Sequence, residues 1–171
     1  LAAGAQASNV VGYIKVEIPN GLSLVSAPFE TVSGGQQKVE DVFDAAPAGT
    51  ALFFFTPGEG YTIFTKTPAG VWEDEDGEDA GGTLLQRGVG LWIWNKSGSP
   101  FSLVLRGQVP FSNNERPMVT GLQIVSYGFP SSAKIVDNGP AAPAAGDKIY
   151  MLSPGGGYEI LTYVVGSGWE D

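Results

Sequence analysis

Residues 48–74 read AGTALFFFTPGEGYTIFTKTPAGVWED, and residues 145–171 read AGDKIYMLSPGGGYEILTYVVGSGWED. The two stretches align without a gap and share eleven identities, more than composition alone produces. Among them are Pro57, Gly58 and Gly60 against Pro154, Gly155 and Gly157, Tyr61 against Tyr158, and a closing Trp-Glu-Asp. Each stretch holds two short runs rich in β-formers around a Pro-Gly-x-Gly loop, which is a hairpin signature. At least one loop glycine is needed there to take a positive φ.

Working outward, Gly21-Leu22-Ser23-Leu24-Val25-Ser26 matches Gly121-Leu122-Gln123-Ile124-Val125-Ser126. Ahead of each lies an alternating segment with one apolar face, which predicts a half-buried strand. In the first copy the inward set is Val10, Gly12, Ile14, Val16 and Ile18; in the second it is Phe101, Leu103, Leu105, Gly107 and Val109. Val39, Val42 and Phe43 stand at i, i+3, i+4 and predict one or two helical turns, echoed at Lys134 and Ile135. The fold class that follows is all-β: two tandem repeated β-sandwich or barrel-like modules. Residues 10–97 form the first module and residues 98–171 the second, joined at the turn-rich Ser97-Gly98-Ser99-Pro100, with residues 1–9 as an N-terminal arm.

The copies differ after Trp-Glu-Asp. The first continues through an acidic loop to Leu84, Leu85 and the strand Leu91-Trp92-Ile93-Trp94-Asn95, whereas the second stops at Asp171. The second module is therefore expected to be incomplete, with unpaired backbone groups where a strand is missing. An alternative is that the gene continues past Asp171 and supplies the missing strands in cis.

Composition narrows the function. With 25 glycines and 12 prolines among 171 residues and no collagen-like period, the chain suits many short strands joined by tight turns. A net charge of −9 argues against nucleic acid, where affinity comes mainly from Lys and Arg on phosphates. There is no cysteine and no histidine, which removes disulfides, thiolate metal sites, the usual general base and the commonest zinc ligand. No Ser-based or phosphate-binding motif is present and no carboxylate spacing singles out an acid and a base, so neither an enzyme nor a bound cofactor is expected. No apolar run reaches the ~20 residues needed to span a bilayer. The start, Leu1-Ala2-Ala3-Gly4-Ala5-Gln6-Ala7, resembles the small-residue end of a secretion signal, with Ala5 and Ala7 framing an A-x-A site.

Three groups are candidate sites. The acidic run from Glu73 to Asp79 offers hard oxygen ligands, with Asp74, Asp76 and Asp79 as the calcium candidates, although a solvated acidic turn accounts for it as well. Trp92 and Trp94 share one strand face and could stack against sugar rings, or pack structurally. Asn95-Lys96-Ser97 is a formal glycosylation sequon.

The opening Asn9-Val10-Val11-Gly12-Tyr13-Ile14-Lys15-Val16 followed by residues 21–26, together with the G-Y-x-I hairpin and closing tryptophan of each copy, resembles a group of secreted β-repeat proteins. These come from environmental bacteria of verrucomicrobial and planctomycete-like lineages and are mostly of unassigned function. The resemblance implies export and a β-repeat fold, and it transfers no catalytic residues; the shortened second module departs from the longer pattern.

Together these features give the expected function: a secreted structural subunit of an extracellular filament or surface assembly. Copies would polymerise head to tail, the N-terminal strand of one (Val10, Gly12, Ile14, Val16, Ile18) entering the incomplete second module of the next. The alternative is a secreted carbohydrate-binding or adhesive module using Trp92 and Trp94.

Overall fold

The computed structural model describes residues 10–112, 115–153 and 156–171; the arm of residues 1–9 lies outside them. The chain divides into two compact units, Leu1–Pro130 and Ser131–Asp171. Its elements in order are β1 (Val11–Ile18), β2 (Gly21–Ser26), β3 (Gln37–Lys38), α1 (Val39–Val42), β4 (Ala51–Thr56), β5 (Gly60–Lys66), β6 (Trp72–Glu73), β7 (Leu84–Leu85), β8 (Gly90–Asn95) and β9 (Phe101–Gln108), then α2 (Ile135–Asn138), β10 (Lys148–Leu152), β11 (Tyr158–Val164) and β12 (Gly168–Glu170). The protein is mostly β, and among the described residues no sheet closes on itself. No described helix is long and apolar enough to cross a membrane.

In the first unit, β2, β8, β4, β5 and β6 lie in that order in an antiparallel sheet. A second, two-stranded sheet pairs β1 with β9, and a third pairs β3 with β7. Alternation along each strand decides what is buried. Ile18, Leu103 and Leu105 turn inward from β1 and β9, and Leu52, Phe64, Trp72, Leu91 and Ile93 turn inward from the five-stranded sheet. Val39, Val42 and Phe43 fill the space between strands from the single turn of α1, as their spacing predicts. Ile14 and Val16 pack against the same cluster.

The turn at residues 97–100, expected to divide the modules, lies inside the first unit. β9 is bound there because all eight of its residues pair with β1, from Val11↔Gln108 to Ile18↔Phe101. Its far end is also held by a two-way bridge to Glu30, with N···O distances of 3.0 and 2.9 Å. That bridge requires glycine at position 107: a Cβ there would stand 2.3 Å from the Glu30 carbonyl oxygen.

Asn95 fastens this arrangement. It is fully buried, and its Nδ2 donates to the carbonyls of Ile18 (3.3 Å), Pro19 (3.1 Å) and Ser99 (2.7 Å). Its Oδ1 accepts from the Ser97 backbone N–H (3.0 Å) and hydroxyl (2.8 Å). One side chain thus ties the β1–β2 corner to the β8–β9 turn. The nitrogen that the sequon would glycosylate is the atom making the first three of these bonds.

The second unit repeats the pairing of the first at an offset of 97 residues. Leu52 pairs with Phe64, and Ile149 with Leu161; Lys66 pairs with Trp72, and Tyr163 with Trp169. Gly60 and its counterpart Gly157 both take positive φ, 101° and 80°. Residues 121–126 depart from the pattern of β2. They form no strand, but make a bridge from Val125 to Val89, in which the Ser126 N–H donates to the Gly88 carbonyl and the Ile124 carbonyl accepts from the Gly90 N–H. The difference is one of partners: β2 runs along all of β8, whereas residues 121–126 meet only its approach and its first residue, Gly90.

Asn95→Ala leaves the buried Ile18 carbonyl and the partly buried Pro19 and Ser99 carbonyls without their donor and is expected to lower the free energy of unfolding by about 1–3 kcal/mol. A denaturant titration with an unchanged midpoint would contradict this role.

Candidate functional site

The outward face of the five-stranded sheet is mostly apolar across β2, β8 and β4 and turns polar at Thr65 of β5 and Glu73 of β6. Cross-strand pairs share a face, so Trp92 of β8 stands between Leu24 of β2 and Phe53 of β4, with Ile63 of β5 beyond. The next row holds Leu22, Trp94 and Ala51, and the last holds Phe55 beside Tyr61. The rings touch: Phe53–Trp94 centroids are 6.4 Å apart, Phe53–Tyr61 6.3 Å and Phe55–Tyr61 5.0 Å. Leu22 is 57% exposed and Trp94 41%. The Lys96 ammonium stands 4.2 Å from the Trp94 ring centroid, in cation–π range.

The same motif recurs on the second unit. Tyr150 and Tyr158 occupy the repeat positions of Phe53 and Tyr61, and their rings meet edge to face at 6.0 Å and 89°, against 6.3 Å and 88° in the first unit. Both tyrosines are about half exposed.

Backbone parity shows where the sheets remain open. The Lys66 N–H donates to the Thr50 carbonyl, and bonding alternates along an antiparallel strand. Leu52 and Phe54 therefore bond to β5, while Ala51 and Phe53 turn their amides to β8. Continuing across β8, the amides of Gly21, Ser23 and Val25 face β8, and those of Leu22, Leu24 and Ser26 face outward. In the second unit the Tyr163 N–H donates to the Asp147 carbonyl, so Ile149 and Met151 bond to β11. The amides of Lys148, Tyr150 and Leu152 then point to the side that β8 covers in the first unit. Among the described residues no strand covers β10 there.

The residues expected to be donated lie in or beside β1. Gly12, Ile14, Val16 and Ile18 belong to the ladder with β9, and Val10 accepts at its carbonyl from Val109 N–H at 2.7 Å. Ile18 is 1% exposed, at the centre of the core. Trp92 and Trp94 do share one face, and Trp94 is the more exposed of the two.

The calcium candidates are engaged in turn formation. Asp74 Oδ1 accepts from the N–H groups of Asp76 (3.0 Å) and Glu78 (2.9 Å), and Asp79 Oδ1 accepts from Gly81 N–H (2.9 Å). Among the described residues no group of three or more acidic or other ligating side chains gathers around a common point. Nearby, the hydrogen bond and charge of Glu40 raise the Lys38 pKa above its ordinary 10.5, at an exposed pair of little weight.

Leu22, Leu24, Phe53, Tyr150 and Tyr158 were not named as site residues by sequence reasoning, which noted Tyr158, Leu22 and Leu24 only as repeat positions. Alternation combined with the 97-residue offset could have found the aromatic positions, since Phe53 and Tyr150 are equivalent and aromatic in both copies. No protein-family model, curated protein or solved structure matches the chain.

Asp74→Ala is expected to destabilise its turn by about 0.5–1.5 kcal/mol, equally with calcium and with chelator. A loss seen only in calcium would make the loop a metal site.

Proposed function

We propose that this chain is a secreted, non-catalytic structural subunit of an extracellular filament or surface assembly, made of two tandem sandwich-like modules of which the second is open. Copies join by β-strand addition, which supplies a ladder of main-chain hydrogen bonds. The observation that carries this reading is the β10 edge: among the described residues, its outward amides at Lys148, Tyr150 and Leu152 lack the neighbour that β8 provides for β4. An open edge beside exposed apolar side chains is a pairing template.

Donating β1 itself would require it to leave eight pairs with β9 and withdraw Ile14, Val16 and Ile18 from the core. Adding an edge that is already folded avoids that loss, and the geometry favours it. A net charge of −9 opposes association across most of the surface, so contact is favoured where acidic residues are absent.

The rival reading places a carbohydrate on Trp92 and Trp94. Its support is the exposed Trp94 ring next to Phe53. Against it, the immediate neighbours Leu22, Leu24 and Ile63 offer no hydrogen bonds to sugar hydroxyls, so that the Lys96 ammonium and the Tyr61 hydroxyl would carry the polar contacts a specific glycan site needs. Glycan-array binding that disappears on Trp94→Ala would establish the rival.

Light scattering and electron microscopy of the full chain test the main proposal. Mass is expected to rise with concentration, and the concentration needed is expected to fall several-fold as added salt screens the like charge. A monomer of 17.9 kDa at every concentration and salt level would overturn it.

A further inference from the structure

Resting on that assembly reading, we infer that the partner of the β10 edge is the β2 edge of a second copy, in an antiparallel, heterologous contact. The other six edges are less suited. β3, β6 and β7 are two residues long and β12 three, and β6 and β12 each carry a glutamate, Glu73 or Glu170. β1 carries Lys15 and Glu17 on its exposed face, charges of the kind that discourage edge pairing. β9 is occupied by β1 on one side and bridged by Glu30 near its far end.

β2 and β10 lack these protections. β2 has no charged residue and no proline, and β10 has only Lys148. In a chain of net charge −9, these are the edges at which two copies repel least. Each turns three residues' amides outward: Leu22, Leu24 and Ser26 on β2, and Lys148, Tyr150 and Leu152 on β10.

The two sets fit one register. With Leu24 opposite Tyr150, Leu22 falls opposite Leu152 and Ser26 opposite Lys148, each pair exchanging main-chain bonds as in any antiparallel ladder. Opposed residues share a face, so Leu22, Leu24, Tyr150 and Leu152 extend the exposed apolar face from one copy to the next. On the other face Val25 lies beside Ile149. Leu24 against Tyr150 also repeats the aliphatic–aromatic match that β2 already makes in Leu24↔Trp92. Because the two edges differ, one kind of contact covers both on every internal subunit, and the chain of contacts runs on as a fibre unless rotation closes it into a ring.

Proline tests this without touching internal bonds, since it is tolerated where the strand N–H faces outward. In the 171-residue chain, Leu24→Pro and Tyr150→Pro are each expected to reduce the mass by light scattering to 17.9 kDa, with melting curves like the parent's. Mixed in equal amounts they are expected to give a species of about twice that mass and no larger, because Leu24→Pro retains β10 and Tyr150→Pro retains β2. A second pair guards against misfolding: Leu24→Glu and Tyr150→Lys should each block assembly, and the double variant should restore it through opposite charges across the contact. Dimers formed by either proline variant alone would mean that like edges pair. Parent assemblies unaffected by all four single variants would overturn the inference while leaving the assembly reading in place, and a parent that never assembles would overturn both.

Discussion

The ladder between β1 and β9 joins residues 11–18 to residues 101–108, and the first unit depends on it. Without it, Ile18, Leu103 and Leu105 have no place opposite Leu52, Leu91 and Ile93, and the inner face of the five-stranded sheet stands in water. Such a pairing of distant segments loses much chain entropy before it gains contact. The corner held by Asn95 offsets part of that loss by fixing the ends of both strands together. A buried amide with every bond satisfied specifies one arrangement, because any other leaves polar groups stranded.

The second unit shows what the same sequence plan becomes with fewer neighbours. Trp72 is 1% exposed and edge-on to Phe43, and the Lys66 ammonium donates to the Phe43 and Asp44 carbonyls while standing 5.7 Å from the Trp72 ring centroid. At the equivalent places Tyr163 meets Trp169 ring to ring at 5.4 Å, and both are only half-buried. The hairpin register survives intact because turn glycines and alternation set it locally. The burial does not survive, since it needs a second layer.

Most of the fold was legible in the sequence where the signal is local. The hairpin around Gly60, the alternation of Ile14, Val16 and Ile18, and the helical turn at Val39 all follow from neighbouring residues. The pairing of β1 with β9 was not legible, since two equally good half-buried strands carry no mark of whether they pair with each other or with successive copies. Residues 121–126 match β2 in sequence but make only an isolated bridge, because strand formation is decided by partners more than by propensity. At the candidate site, Trp92 and Trp94 were visible by their rarity. The open amides of β2 and β10 were not, because parity is fixed by hydrogen bonds rather than residue type.

Amide hydrogen exchange on concentrated, assembled protein tests the central claim most directly, that copies join through strand edges. Slow exchange appearing at Leu22, Leu24, Tyr150 and Leu152 on assembly, and absent in dilute protein, is the predicted result. Exchange at these four amides that stays as fast in the assembly as in the dilute chain would contradict it.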